Sequence, residues 1–242
     1  MTEDLSNLPT PADTVGLLEG LSTTRAIRRY RNEPIPPDVL RDIMFAATRA
    51  ANGSNRQAFR FVVLTDGPKA AKAKQLISEV ARRFWRQKRA TDGYDAGSGA
   101  DPTSPKARTA AAMQAYVDNF PNVPALILPC LLRYREPSSA EGASVYPSCQ
   151  NILLAARALG YGGVFSGWQS GVEDELRELL NIPDGVFIAG CITLGKPEGN
   201  HGPVRRRPMA EVIFEDEWDH PAVWAVDPPG TRFTQAGPPK RR

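Results

Sequence analysis

Two groups of arginines and one polar turn carry what chemistry this chain can do. In "TTRAIRRY", residues 23–30, Arg25, Arg28 and Arg29 fall within five positions. In "VRRRP", Arg205, Arg206 and Arg207 stand just before Pro208. A guanidinium carries a permanent charge and a planar fork of donors, so such groups suit bidentate contact with a phosphate. A solvated basic strip accounts equally well for either group taken alone. Between them, "NGSNRQAF" at 52–59 gathers compact amides and a hydroxyl between a helix end and a strand. Such a turn can offer Asn55 and Gln57 to the donors and acceptors of a heterocycle, or it can be an ordinary polar turn.

The other common chemistries have no foothold. No G-x-G-x-x-G follows a strand and no G-x-x-x-x-G-K-[ST] occurs, which argues against a dinucleotide fold and a P-loop. The "GVFSG" of 163–167 lacks the nucleophile-elbow spacing. Two histidines, His201 and His220, have no partner at metal spacing, so zinc is not expected. Cys130 and Cys191 lie in apolar runs that suit buried thiols. With no constellation of His, Cys or carboxylate, any redox or transfer chemistry belongs to a cofactor.

Composition sets the frame. The 242 residues are 41% hydrophobic and 24% charged, with a net charge of +3, too small to force a nucleic-acid reading. The polar, acidic start lacks the basic and apolar parts of a signal peptide, and no apolar run has the length of a membrane span. A soluble, cytoplasmic protein is expected, without nucleic-acid or membrane partners.

The elements that must position these residues follow from periodicity. Residues 1–13 read as a tail, and Val15, Leu17, Leu18 and Leu21 suggest a short helix. Apolar residues at helical spacing from Val39 to Ala50 follow Pro36 and Pro37. "FRFVVLTDGP" reads as a strand, and residues 69–89 as a helix with Ile77, Val80, Ala81, Phe84 and Trp85 on one stripe. Residues 90–106, rich in Gly, Ser, Asp and Pro, read as a long loop, either a lid or an insertion. A helix near 107–118, a buried strand in "VPALILPCLLRYR" and a buried helix in "ASVYPSCQNILLAARALGYGG" come next. Ser170 and Glu173 are spaced as a capping box. "VFIAGCITLGKP" reads as one buried strand. The chain closes with a tail from Glu215 rich in Pro and aromatics. The irregular alternation favours an α+β fold, a central sheet covered by helices on both faces.

Taken together and in order, "RAIRRY", "AANGSNRQAFRFVVL", "CQNILLAARALGYGG" and "LGKPEGNHGPVRRRPMAEV" resemble the FMN-dependent nitroreductase family over residues 22–214. The resemblance implies a three-layer sandwich around a mixed, mainly antiparallel sheet. Residues 1–21 would precede this domain, and 215–242 would extend from it and wrap a partner subunit. It implies a homodimer with FMN at the interface and NADPH or NADH as hydride donor. The acceptor would be a small electron-poor molecule such as a nitroaromatic or quinone, reduced in a ping-pong cycle. By this resemblance Arg25, Arg28 and Arg206, with Arg205 as second choice, hold the phosphate and the nearby flavin edge. Arg28 would stabilise the reduced flavin, and Arg29 would face elsewhere. Asn52, Ser54, Asn55 and Gln57 would line the ribityl chain and ring, and Ser166 and Gly167 would bring backbone close to N5. Ala26 stands where the family usually has Ser, Ala51–Asn52 where it has Pro-Ser, and Ala58–Phe59 where it has Pro-Trp. These departures bear on the acceptor more than on the cofactor. The same scaffold also resembles flavin-dependent dehalogenases, azoline dehydrogenases and a flavin-fragmenting enzyme. From another class, a basic nucleic-acid-binding protein is the remaining reading.

Overall fold

The computed structural model describes residues 15–138 and 140–234. Residues 1–14 and 235–242, which include most of the expected N-terminal tail and the last part of the C-terminal one, lie outside the described residues.

The sheet is organised around β2 (Ala125–Leu132), whose residues are buried almost throughout. On one side it pairs with β1 (Phe59–Leu64), in register Phe59 to Leu131 and Leu64 to Leu126. On the other side it pairs with β4 (Val186–Ile188) and β5 (Cys191–Gly195), and β5 in turn pairs with β3 (Gly162–Ser166). Among the described residues these ladders are all antiparallel, in line with the expected α+β fold around a mainly antiparallel sheet.

Alternation along β2 builds the two cores. Leu126, Leu128 and Cys130 pack on α3 (Pro68–Thr91) and α4 (Pro105–Asn119), through Ala70, Ala73, Ile77 and Tyr116. Ala125 and Ile127 point the other way, onto α2 (Pro37–Thr48) and α5 (Tyr146–Ala158) through Ile43, Ala47, Ile152 and Ala156. A strand buried on both faces has no polar side to show, which is why it reads as a continuous apolar run. Two further helices, α1 (Leu17–Thr23) and α6 (Glu173–Leu180), complete the set.

Several sequence-based expectations need correction. The run "VFIAGCITLG" is two strands, because Ile188 faces Cys130 while Ile192 faces Ile127, so one extra residue is accommodated as a bulge. Gly190 sits there because a Cβ would lie 2.4 Å from the Phe165 ring. The glycines after α5 do not merely stop the helix. Gly162 and Gly163 open β3, where a side chain would strike Ile27 and the Thr193 carbonyl respectively. The capping box does not form: Ser170 donates to the Gly167 carbonyl within a 3-10 turn at Trp168–Val172, and Glu173 turns to Arg177. On α3, Phe84 is exposed although Ile77, Val80, Ala81 and Trp85 are buried. The expected loop is shorter than 90–106, since α3 runs to Thr91 and α4 begins at Pro105, capped by Ser104. Its centre packs back on the helix, with Tyr94 against Trp85 and Arg89 paired to Asp95.

The segment carrying the first arginines is bound to the outer edge of this sheet. Ile27 N–H donates to Gly163, Arg31 N–H to Lys196, and Glu198 N–H back to Arg29. Beneath it, three buried hydroxyls lock together. Thr193 Oγ1 lies 2.8 Å from both Tyr30 and Tyr116 oxygens, and Tyr30 donates to the Ile27 carbonyl at 2.6 Å. A chain of donors from Tyr116 through Thr193 and Tyr30 to Ile27 satisfies all three. Burial raises both phenol pKa values and keeps them protonated as donors. Replacing Thr193 with Val keeps the shape but strands the Tyr116 hydroxyl, so Thr193→Val should cost about 1–3 kcal/mol in urea unfolding, with Ser restoring most of it. A Val variant as stable as wild type would show the network to be idle.

Candidate functional site

The arginine segment forms one wall of a cavity of about 970 Å³. Arg25, Ala26, Arg28 and Arg29 line it from the segment, and Arg205 from the chain after β5. The facing wall is the first half of α4, where Arg108, Thr109 and Met113 line it. Five arginines therefore border one space, and among the described residues no Asp or Glu lines it. Among the described residues none of the five is in an ion pair. The first turns of α4 also face the cavity, and a helix N-terminus adds partial positive charge.

The segment is not helical, and this decides where its arginines go. Clipped to the sheet edge, the segment puts Arg25, Arg28 and Arg29 alike against the cavity. Arg29 lines the cavity and does not face elsewhere, as the family resemblance had implied it would. Arg28 borders the same cavity and lies near enough to the phenols of Tyr30 and Tyr116 to favour their charged forms.

The second arginine group divides. Val204 N–H donates to Ser22, which holds Arg205 beside the first group. Arg206 turns away: its backbone pairs with Arg232 and Thr234, and its guanidinium donates to the Arg205 carbonyl. Arg207 pairs with Glu211. Arg205 rather than Arg206 reaches the cavity, because the ladder to residues 232–234 takes the middle position. Arg108 had no signal in the sequence, lying in a helix whose other charges are solvated.

The polar turn is elsewhere. Along β2, the arginine segment is level with Ala125, through Gly163 and Leu194, whereas Asn52–Gln57 precedes Phe59, which faces Leu131. Six residues of strand separate those levels, roughly 20 Å at about 3.3 Å per residue. Within one chain the turn and the arginines do not meet. The turn is exposed, yet Ser54, Asn55 and Gln57 all have φ near +50°. Left-handed backbone costs about 1 kcal/mol or more for residues such as Ser and Gln and persists only when held. Asn52 Oδ1 accepts from Gln57 N–H, and Ser144 Oγ from Gly53 N–H. Ser166 and Gly167 end β3, with Ser166 Oγ 3.1 Å from the Cys191 thiol. A Cβ on Gly167 would meet nothing within 4 Å, so the backbone there is open to a ligand.

His201 lies behind the arginine segment, its Nε2 3.0 Å from the Tyr161 carbonyl and its ring against Gly162. Burial lowers its pKa, and the charges of Arg157 and Arg25 lower it further. It stands there as a neutral side chain.

Residues 21–196 match the model of the Nitroreductase family, and the chain belongs to that family. An NADH dehydrogenase of Thermus thermophilus is 28% identical over 202 residues, covering 78% of this chain and 91% of its own. Among solved structures, an FMN complex from Desulfovibrio desulfuricans superposes with a TM-score of 0.61 at 24% identity, covering 84% of this chain and 98% of that one. The NADPH:FMN oxidoreductase of Vibrio harveyi, complexed with NAD+, superposes with 0.60 at 21% identity, covering 84% and 77%. These two share the fold. The protein is thus an enzyme of the oxidoreductase class, α+β in fold. Among the described residues no helix is long and apolar enough to cross a membrane, and no group of His, Cys and acidic residues could hold a metal.

The depressed pKa of His201 makes stability depend on pH. A folded state that resists protonation loses stability as pH falls below about 6.5, and the loss is complete once pH is under the folded value. Denaturation midpoints should therefore fall between pH 7.5 and 5, and His201→Gln should flatten that fall. Equal pH slopes in variant and wild type would remove His201 from the account.

Proposed function

We propose that this protein is an FMN-dependent oxidoreductase that takes hydride from NAD(P)H and reduces a small electron-poor acceptor, a nitroaromatic, a quinone or a similar compound. The observation that carries the reading is the cavity with five arginines and no carboxylate, on the fold of a flavoenzyme family. A space of about 970 Å³ is in the range of cofactor sites. Its charge suits a phosphate monoester of about −2. FMN, when bound, supplies the hydride chemistry, and the protein contributes binding, orientation and electrostatics.

Arg25 and Arg205 are assigned to the phosphate. Arg28, beside the buried phenols, is assigned to the electron-rich edge of the flavin, where a fixed cation favours the reduced state. The open backbone at Ser166–Gly167 is assigned to the reacting face. No side-chain acid or base is assigned. Charge-assisted bonds are worth about 1.5–3 kcal/mol each, so Arg25→Ala and Arg205→Ala should each weaken FMN binding about ten- to a hundred-fold. Arg206→Ala should change it little, since Arg206 does not line the cavity. The measurement is a titration of apoprotein with FMN at fixed salt, after heat release from yellow holoprotein has identified the flavin. Release of FAD, or equal small losses at all three arginines, would sink the assignment.

The distant polar turn argues for a homodimer with each site shared between subunits. Asn52, Ser54, Asn55 and Gln57 of one chain then meet the arginines of the other. Exposed apolar side chains are in keeping with this: Leu17 and Leu18 on α1, Phe45 on α2, and Trp218, Val223 and Trp224 in the C-terminal extension. The extension is assigned to the partner's surface. Complementation tests the sharing. A mixed dimer of an Arg25→Ala chain and an Asn55→Ala/Gln57→Ala chain should recover one intact site of two, and so about half of wild-type FMN. No recovery in a verified mixed dimer would place both motifs in the same chain's site.

A further inference from the structure

We infer that the cavity holds a second anion beside the flavin phosphate, that this anion is the 2′-phosphate of NADPH, and that Arg29 and Arg108 bind it. The inference rests on the FMN reading above and deepens it to a choice of co-substrate.

Charge balance raises the question. One phosphate monoester supplies about −2, while five guanidiniums line the space. With Arg25, Arg28 and Arg205 given to the flavin, Arg29 and Arg108 remain. Neither is in an ion pair among the described residues, although Arg108 lies near enough to Asp101 to help lower that carboxyl's pKa. Arg108 donates to the Thr103 carbonyl, which fixes one arm and leaves the rest of the fork to the cavity. Arg29 comes from the opposite wall, beside the Gly199–Asn200 turn. Arg29 and Arg108 thus offer forks from facing walls to an anion that enters between them.

The cavity also lacks what an NADH site uses. A carboxylate accepts hydrogen bonds from the adenosine 2′-hydroxyl and repels a 2′-phosphate, whereas an arginine does the reverse. Here there is no lining Asp or Glu. The other cations nearby are engaged, since Arg207 pairs with Glu211 and Lys106 lies over the Tyr94 ring. Lys106 and the third arginine of "VRRRP" are thus engaged elsewhere, and of the two residues left only Arg29 belongs to a motif marked in the sequence.

The test uses FMN-loaded protein and two probes that differ by the phosphate in question, 2′,5′-ADP and 5′-AMP, titrated calorimetrically at fixed ionic strength. Wild type should bind 2′,5′-ADP at least about ten-fold more tightly than 5′-AMP. Arg29→Ala and Arg108→Ala should each reduce that preference about ten-fold or more, with flavin content unchanged by absorbance. In steady-state assays the ratio of kcat/KM for NADPH over NADH should fall in the same variants. Wild-type protein that holds FMN but does not distinguish the two probes overturns this inference alone. So does loss of flavin from either variant, which would give Arg29 or Arg108 to the flavin instead. A wild-type chain that holds no FMN removes both readings.

Discussion

Like charges held in one cavity repel, and this repulsion is the constraint to which the rest of the structure answers. Five guanidiniums without a carboxylate raise the energy of the folded chain by an amount that grows with each pair, on the order of a kcal/mol for neighbours at a protein surface. Among the described residues none of the five is in an ion pair, and only Arg108 has a carboxylate, Asp101, near enough to act on it. The fold therefore has to hold them mechanically. Backbone bonds from Ile27, Arg29 and Arg31 to the ends of β3 and β5 hold the segment on the sheet edge. The three-hydroxyl lock ties that edge to α4 through Tyr116. Both walls of the cavity are joined through one threonine, so the charges are preorganised for an anion without rearrangement on binding.

The same sheet that fixes the arginines keeps the polar turn away from them. Because β2 runs the full height of the sheet, a motif leading into β1 and a motif clipped to β3 emerge at opposite ends. The turn spends backbone strain on a conformation that makes no contact with the cavity in its own chain. Strain of this kind is retained where a bound surface returns the energy, and a second subunit bringing its turn to the cavity would do so. The exposed leucines of α1 and the apolar side chains of the C-terminal extension give such an interface its area.

Glycine has opposite meanings at two levels of description here. In sequence, Gly160, Gly162 and Gly163 read as the end of a helix. In the fold Gly160 ends the helix, with φ of +78°, while its neighbours begin the edge strand β3, which the arginine segment and β5 approach too closely for any side chain. The bulge at Gly190 has the same origin, in the crossing ring of Phe165. Both signals are contacts across the sheet, invisible to periodicity.

What the sequence determined by itself was local. Apolar spacing marked α2, α3 and α5, a continuous apolar run marked β2, and the order of four motifs marked the family. These depend on neighbours three or four positions away or on a pattern of residue types, which is the information a sequence holds directly. Which arginines share a cavity is a different kind of fact. Arg25, Arg28 and Arg29 share the cavity because the segment is clipped to the sheet edge, Arg206 leaves because residues 232–234 claim its backbone, and Arg108 arrives because α4 packs in the same core as the segment. Each outcome depends on contacts between residues tens to hundreds of positions apart, so tertiary structure alone decided it.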